Sequence, residues 1–72
     1  MITVEELKKE ISAAKFPKNW RKGQSIFNYI DNVYGVARTI QFKYGIDCFY
    51  NDDNIDEFLN KAVEIINHGE NS

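Results

Sequence analysis

Cysteine and proline each occur once in this 72-residue chain, as Cys48 and Pro17, and so do tryptophan (Trp20) and histidine (His68). A lone cysteine excludes an intramolecular disulfide. Secreted domains of this size usually carry several cysteines, so a reducing compartment, the cytoplasm, is the expected location. No apolar run approaches the ~20 residues that span a bilayer. The opening Met1-Ile2-Thr3-Val4-Glu5-Glu6 is acidic where a signal peptide needs a basic flank before an apolar stretch. Gly23, Gly35, Gly45 and Gly69 are scattered, so no phosphate-cradling glycine loop is present.

Seventy-two residues make one domain, 1–72, with no room for a second core. The hydrophobic share of 43% is ordinary, but 14% aromatic is generous for so short a chain. Large aromatics bury about 150–250 Å² each, which lets a small domain build a core without disulfides or metals. Charge is uneven beneath a net −2. Residues 1–45 hold eight basic side chains against four acids, whereas residues 46–72 hold seven acids and only Lys61. That asymmetry either steers partners or draws the two halves together.

The chain reads as all-α, a compact bundle of three to four short helices with an ordered loop at 46–51. Thr3-Val4-Glu5-Glu6 is a capping box, and Val4, Leu7, Ile11 and Ala14 follow at helical spacing, predicting a helix over about 4–15. Pro17 disfavours helical geometry at Phe16 and closes it. Asn19 then serves as cap for a second helix from Trp20 to about Tyr34, its face made by Trp20, Phe27, Ile30 and Tyr34 and widened by Ile26 and Val33. Gly23, in its first turn, signals close approach of another backbone. Gly35 ends or interrupts this helix before Val36, Ala37, Ile40 and Phe42 form a third segment, with Gly45 as its C-cap. Asp52, Asp53 and Asn54 crowd the start of a last helix with apolar positions Ile55, Phe58, Leu59, Ala62, Val63 and Ile66. Fraying is expected over 68–72.

Chemistry is sparse. Asp52-x-Asn54-x-Asp56 fits the first three ligand positions of a calcium loop, but Glu57 stands where the turn needs glycine and Val63 where a bidentate Glu is needed. A capped, acid-rich helix start explains the same residues, so no metal is implied. Cys48 has only His68 as a base and no third orienting group, so it reads as a small buried hydrophobe. No cofactor constellation appears, and an enzyme is not expected. The basic–aromatic cluster Lys15, Lys18, Trp20, Arg21 and Lys22 is the candidate interaction surface, able to grip phosphates and stack a base. An isoelectric point near 5.2 argues against a nucleic-acid module, which normally carries a domain-wide basic surplus.

At Arg21-Lys22-Gly23-Gln24-Ser25-Ile26-Phe27-Asn28 the chain shows the pattern R-x-G-Q-x-x-F-N. About twenty residues on, Asp47, Phe49, Tyr50, Asp52, Ile55 and Phe58 make D-x-F-Y-x-D-x-x-I-x-x-F. Across roughly residues 20–59 this resembles a group of short uncharacterised bacterial and phage open reading frames. The resemblance implies a fold and a mobile-element setting but no mechanism, and relatives place proline where Cys48 stands. Among the matching residues, Phe27, Phe49, Ile55 and Phe58 read as core and Asp52 as a helix cap. Arg21, Gln24, Asn28 and Asp47 are polar where no periodicity demands it. They form either an internal network, with Arg21 paired to Asp47 and Gln24 or Asn28 bonded to the 46–50 backbone, or a surface facing a partner. The expected role is that of a small accessory protein whose partner is another protein, with nucleic acid as the second choice.

Overall fold

The reading of an all-helical chain is matched by the computed structural model, which describes residues 1–69. Four α-helices make up the fold: α1 (Val4–Ala13), α2 (Lys22–Val33), α3 (Ala37–Lys43) and α4 (Ile55–Gly69), the last preceded by a 3-10 turn over Asp52–Asn54. A radius of gyration of 11.4 Å is close to the ~11 Å of a compact domain of this length. None of the described helices is long and apolar enough to cross a membrane.

α1 begins on the expected capping box: the Thr3 hydroxyl accepts from the Glu6 N–H at 3.1 Å and the Glu6 carboxylate from the Thr3 N–H at 3.0 Å. It ends two residues before the predicted limit, with Ala14 extended, and the freed segment carries Phe16 over to Tyr29 and Trp20. The predicted start of α2 also needs correction. Asn19 is not its cap and Trp20 is not its first residue. Pro17 closes a turn in which its carbonyl accepts from the Trp20 N–H at 3.1 Å, and the helix starts at Lys22 with Arg21 as N-cap. The Gln24 side chain reaches back to the Arg21 N–H at 3.4 Å. Proline therefore ends one helix and delays the next.

Gly35 and Gly45 both take left-handed φ, +70° and +68°. Each turns the chain out of a helix while its neighbourhood satisfies terminal carbonyls: Gly35 N–H on Ile30 O at 2.9 Å, Ile46 N–H on Ile40 O at 3.2 Å. The acidic start of α4 is capped by Asn51, whose side chain accepts from the Asp53 N–H at 3.0 Å. Asp52, expected in that role, points elsewhere.

α4 packs against each of the other three α-helices. Phe58, Leu59, Ala62 and Ile66 from α4 meet Leu7 and Ile11 of α1, Ile26, Phe27 and Ile30 of α2, Ala37 and Ile40 of α3, and Cys48 of the loop in one buried cluster. Ile55, Val63 and Phe49, expected as core, are half-buried at its margin. Val33, read as widening the apolar face of α2, is 54% exposed, and Phe42 in α3 is 80% exposed. For Phe42 the reason is angular: two residues beyond buried Ile40 is about 200° around a helix.

Two clamps fix α1. The Asn67 side-chain amide holds the Ile2 backbone on both sides, accepting from its N–H and donating to its carbonyl, each at 2.9 Å. The Glu10 carboxylate accepts from the Tyr29 and Tyr34 hydroxyls, both at 2.8 Å. α4 stays helical at His68 and Gly69, where fraying was expected; the remainder of that stretch, 70–72, lies outside the described residues.

Gly23 shows the close backbone approach that its position predicts. A Cβ there would overlap the Cys48 carbonyl oxygen and stand 2.6 Å from Asp52 Oδ1. Gly23→Ala gains helix propensity of about 1 kcal/mol but forces the loop away. The expected net effect is a loss of about 1–3 kcal/mol, read as a fall in melting temperature on the order of 10 °C by circular dichroism.

Candidate interaction site

The loop at 46–51 has no regular backbone pairing beyond the Ile46 N–H on Ile40 and the Asn51 carbonyl on Asn54, so its remaining hydrogen bonds come from side chains. Asp47 organises it. One carboxylate oxygen accepts from the Phe49 N–H at 3.1 Å and from Gln41 Nε2 at 2.9 Å, and the other accepts from the Tyr50 N–H at 3.1 Å. An aspartate bonding the backbone two and three residues on is the chemistry of an Asx turn. The Asp47 carbonyl accepts from Asn54 Nδ2 at 2.9 Å, tying the loop to the turn before α4. Arg21 Nη2 donates to the Phe49 carbonyl at 2.7 Å. Asp52 Oδ1 accepts from the Gly23 N–H at 3.1 Å, and the Cys48 thiol donates to the Gly23 carbonyl at 3.4 Å.

The four polar residues singled out by the sequence therefore have different partners from those expected. Arg21 reaches the loop backbone rather than Asp47. Gln24 bonds Arg21's own N–H, and Asn28 is half-buried with no side-chain hydrogen bond among the described residues. Asp47 takes Gln41 in place of Arg21. Asp52, Cys48, Asn54 and Gln41 complete the set and were missed. Only the tertiary fold brings them within reach of one another.

The basic cluster divides by burial. Lys15, Lys18, Arg21 and Lys22 are exposed, while Trp20 is half-buried with its ring 6.3 Å from that of Phe16. Phe16 in turn meets Tyr29 edge-on at 6.4 Å. The tryptophan thus belongs in part to a small aromatic group that covers α2, and is only partly available for stacking.

A more developed surface lies between α3 and the loop. Rings step outward from the core: Phe58 to Phe27 at 5.7 Å, Phe27 to Phe49 at 5.4 Å and nearly perpendicular, Phe49 to Tyr50 at 4.7 Å. Tyr50 is 76% exposed. Together with Arg38, Gln41 and Phe42 of α3, the rings of Phe27, Phe49 and Tyr50 line a cleft of about 240 Å³. Arg38 and Phe42 are one helical turn apart and share the outward face, a relation that the i, i+4 spacing could have revealed.

Cys48 and His68, the one nucleophile–base pair considered, sit in different settings. Cys48 is fully buried in the core, whereas His68 is exposed near the end of α4. Burial, and next the neighbouring Asp47 carboxylate, push the Cys48 thiol up to about 12. Asp52 and Asn54, two of the three calcium-type positions, are engaged with Gly23 and Asp47. Among the described residues no three His, Cys, Asp or Glu side chains gather into a set that would hold a metal ion.

The buried thiol has two measurable consequences. An aromatic disulfide reagent at about pH 8 should leave native Cys48 unmodified and label it fully in denaturant. The folded state also holds the thiol proton more tightly than the unfolded chain, where the pKa is ~8.5. Its stabilising contribution is complete below roughly pH 8.5 and is lost as pH rises toward 12. Denaturation midpoints should therefore fall more steeply through about pH 9–11 for the wild type than for Cys48→Ala. Comparison with protein-family models, curated proteins and solved structures finds no match to this chain.

Proposed function

We propose that this chain is a non-catalytic, intracellular protein-interaction module that docks a partner protein at the cleft between α3 and the loop. The observation that carries this reading is the pair of exposed aromatics on its two walls, Phe42 at 80% and Tyr50 at 76%, beside Arg38. Small soluble domains seldom display large apolar rings together, and tyrosine, phenylalanine and arginine are the residues enriched at interface cores. The hydrogen bonds of Asp47 and Arg21 hold the loop wall in place before any partner arrives, which limits the ordering cost of binding. A mobile-element setting follows from the resemblance to short phage and bacterial reading frames.

The second reading, a nucleic-acid module using Lys15, Lys18, Trp20, Arg21 and Lys22, draws on the exposure of the four cations. The half-buried Trp20 and the acidic overall balance weigh against it.

The two readings separate on variants. Phe42→Ser with Tyr50→Ser touches exposed atoms and should change stability by no more than about 1 kcal/mol. A partner captured from the native host by the wild type should be lost with that double variant and kept when Lys15, Lys18 and Lys22 are changed to Gln. The opposite pattern, joined to oligonucleotide binding that weakens steeply with salt, would establish the second reading instead.

A further inference from the structure

The lining of the α3–loop cleft is lopsided in charge. It contains four aromatic rings, the Gln41 amide and the Arg38 guanidinium, and no carboxylate. Asp47 and Asp31, which bond residues of the lining, are already engaged. Both Asp47 oxygens are occupied by Gln41 and by the Phe49 and Tyr50 N–H groups. Asp31 approaches Arg38 at Nε, 4.0 Å away, and the two terminal amino groups of Arg38 have no hydrogen-bond partner among the described residues. The Arg38 side chain is 78% exposed. A second guanidinium, that of Arg21, is anchored on the Phe49 carbonyl behind the opposite wall. α3 itself carries Arg38 and Lys43 and no acid.

From this we infer that the cleft takes an acidic partner segment bearing one large apolar anchor, the ring or branched side chain entering between Phe42 and Tyr50 while flanking carboxylates meet Arg38. The inference rests on the protein-interaction reading above and gives it a partner chemistry. The cleft, about 240 Å³ and open to solvent, has room for one such side chain. Guanidinium and carboxylate also match in geometry, since the terminal amino groups of arginine can donate in parallel to two carboxylate oxygens. Among the described residues, Arg38 is the one charged side chain in the cleft lining, so an acid in the partner has a single point to pair with there, which favours one docking register.

The test uses four acetylated pentapeptide amides, EEFEE, QQFQQ, KKFKK and EEAEE, titrated into the isotopically labelled wild-type protein and followed by amide chemical shifts. EEFEE should move the signals of Phe42, Phe49 and Tyr50 and bind roughly threefold to fivefold tighter than QQFQQ, the ratio an exposed ion pair supplies, with KKFKK weaker again. That advantage should vanish in Arg38→Gln and shrink with added salt. Equal binding of EEFEE and QQFQQ would overturn the acidic preference and leave the docking cleft standing. Equal binding of EEFEE and EEAEE would overturn the anchor. Absence of binding by every phenylalanine peptide would overturn the cleft reading itself. A short oligothymidylate shifting the same signals more strongly than EEFEE would replace the acidic peptide with nucleic acid.

Discussion

Gly23 is where two parts of the chain press hardest on each other, and both of its backbone polar groups are used there. Its N–H donates to Asp52 and its carbonyl accepts from the Cys48 thiol, while the Cys48 carbonyl occupies the volume a side chain would need. Glycine costs about 1 kcal/mol in a helix relative to alanine, so its presence in the first turn of α2 needs a return. The return is that a loop with few backbone partners of its own can lie directly on a helix end and find donors and acceptors in it. Cys48 is seated by the same contact: a small, weakly polar side chain, buried completely, with its one donor satisfied.

Once the loop is fixed on α2, the placement of the surface follows. Asp47 folds the backbone back on itself and bonds Gln41 of α3, so the loop, α2 and α3 become a single unit. Phe49 is then held against Phe27, and Tyr50, next along the chain, has nowhere to go but outward. The apolar series from Phe58 to Tyr50 is continuous from core to solvent. A partner that covers Tyr50 would extend a hydrophobic cluster already packed on its inner side, which is the arrangement in which a few side chains carry most of a binding energy.

The charge asymmetry of the sequence resolves into modest local contacts. Lys8 and Asp56 join the basic and acidic halves at 3.7 Å, but Asp56 is 85% exposed there and such pairs contribute little. Lys61 bonds Glu64 at 3.1 Å and lies 4.5 Å from the centre of the Tyr44 ring. The fold is held by its apolar core and by carboxylate–hydroxyl and amide–backbone clamps, with surface ion pairs as minor additions.

The features legible in the sequence were local in cause, although not every local reading held: Asn19 does not cap α2, and Asp52 does not cap its own helix. The capping box of α1, the breaks at Pro17, Gly35 and Gly45, and four of the six apolar positions of α4 (Phe58, Leu59, Ala62 and Ile66) depend on residues within a turn or two of each other, and the structure keeps them. Gly23 even announced a close approach, because a glycine in a helix is unfavourable unless something fills the space beside it. The partners were beyond reach. Arg21 bonds the Phe49 carbonyl rather than the Asp47 carboxylate, and Asp52 caps a helix 29 residues away rather than its own. Such pairings depend on the register in which loop and helix meet, which side-chain type does not encode. The exposure of Phe42 had a mixed origin: its angle from Ile40 was legible, but only the position of α3 against α4 and the loop decided which side of the helix had a neighbour to pack against.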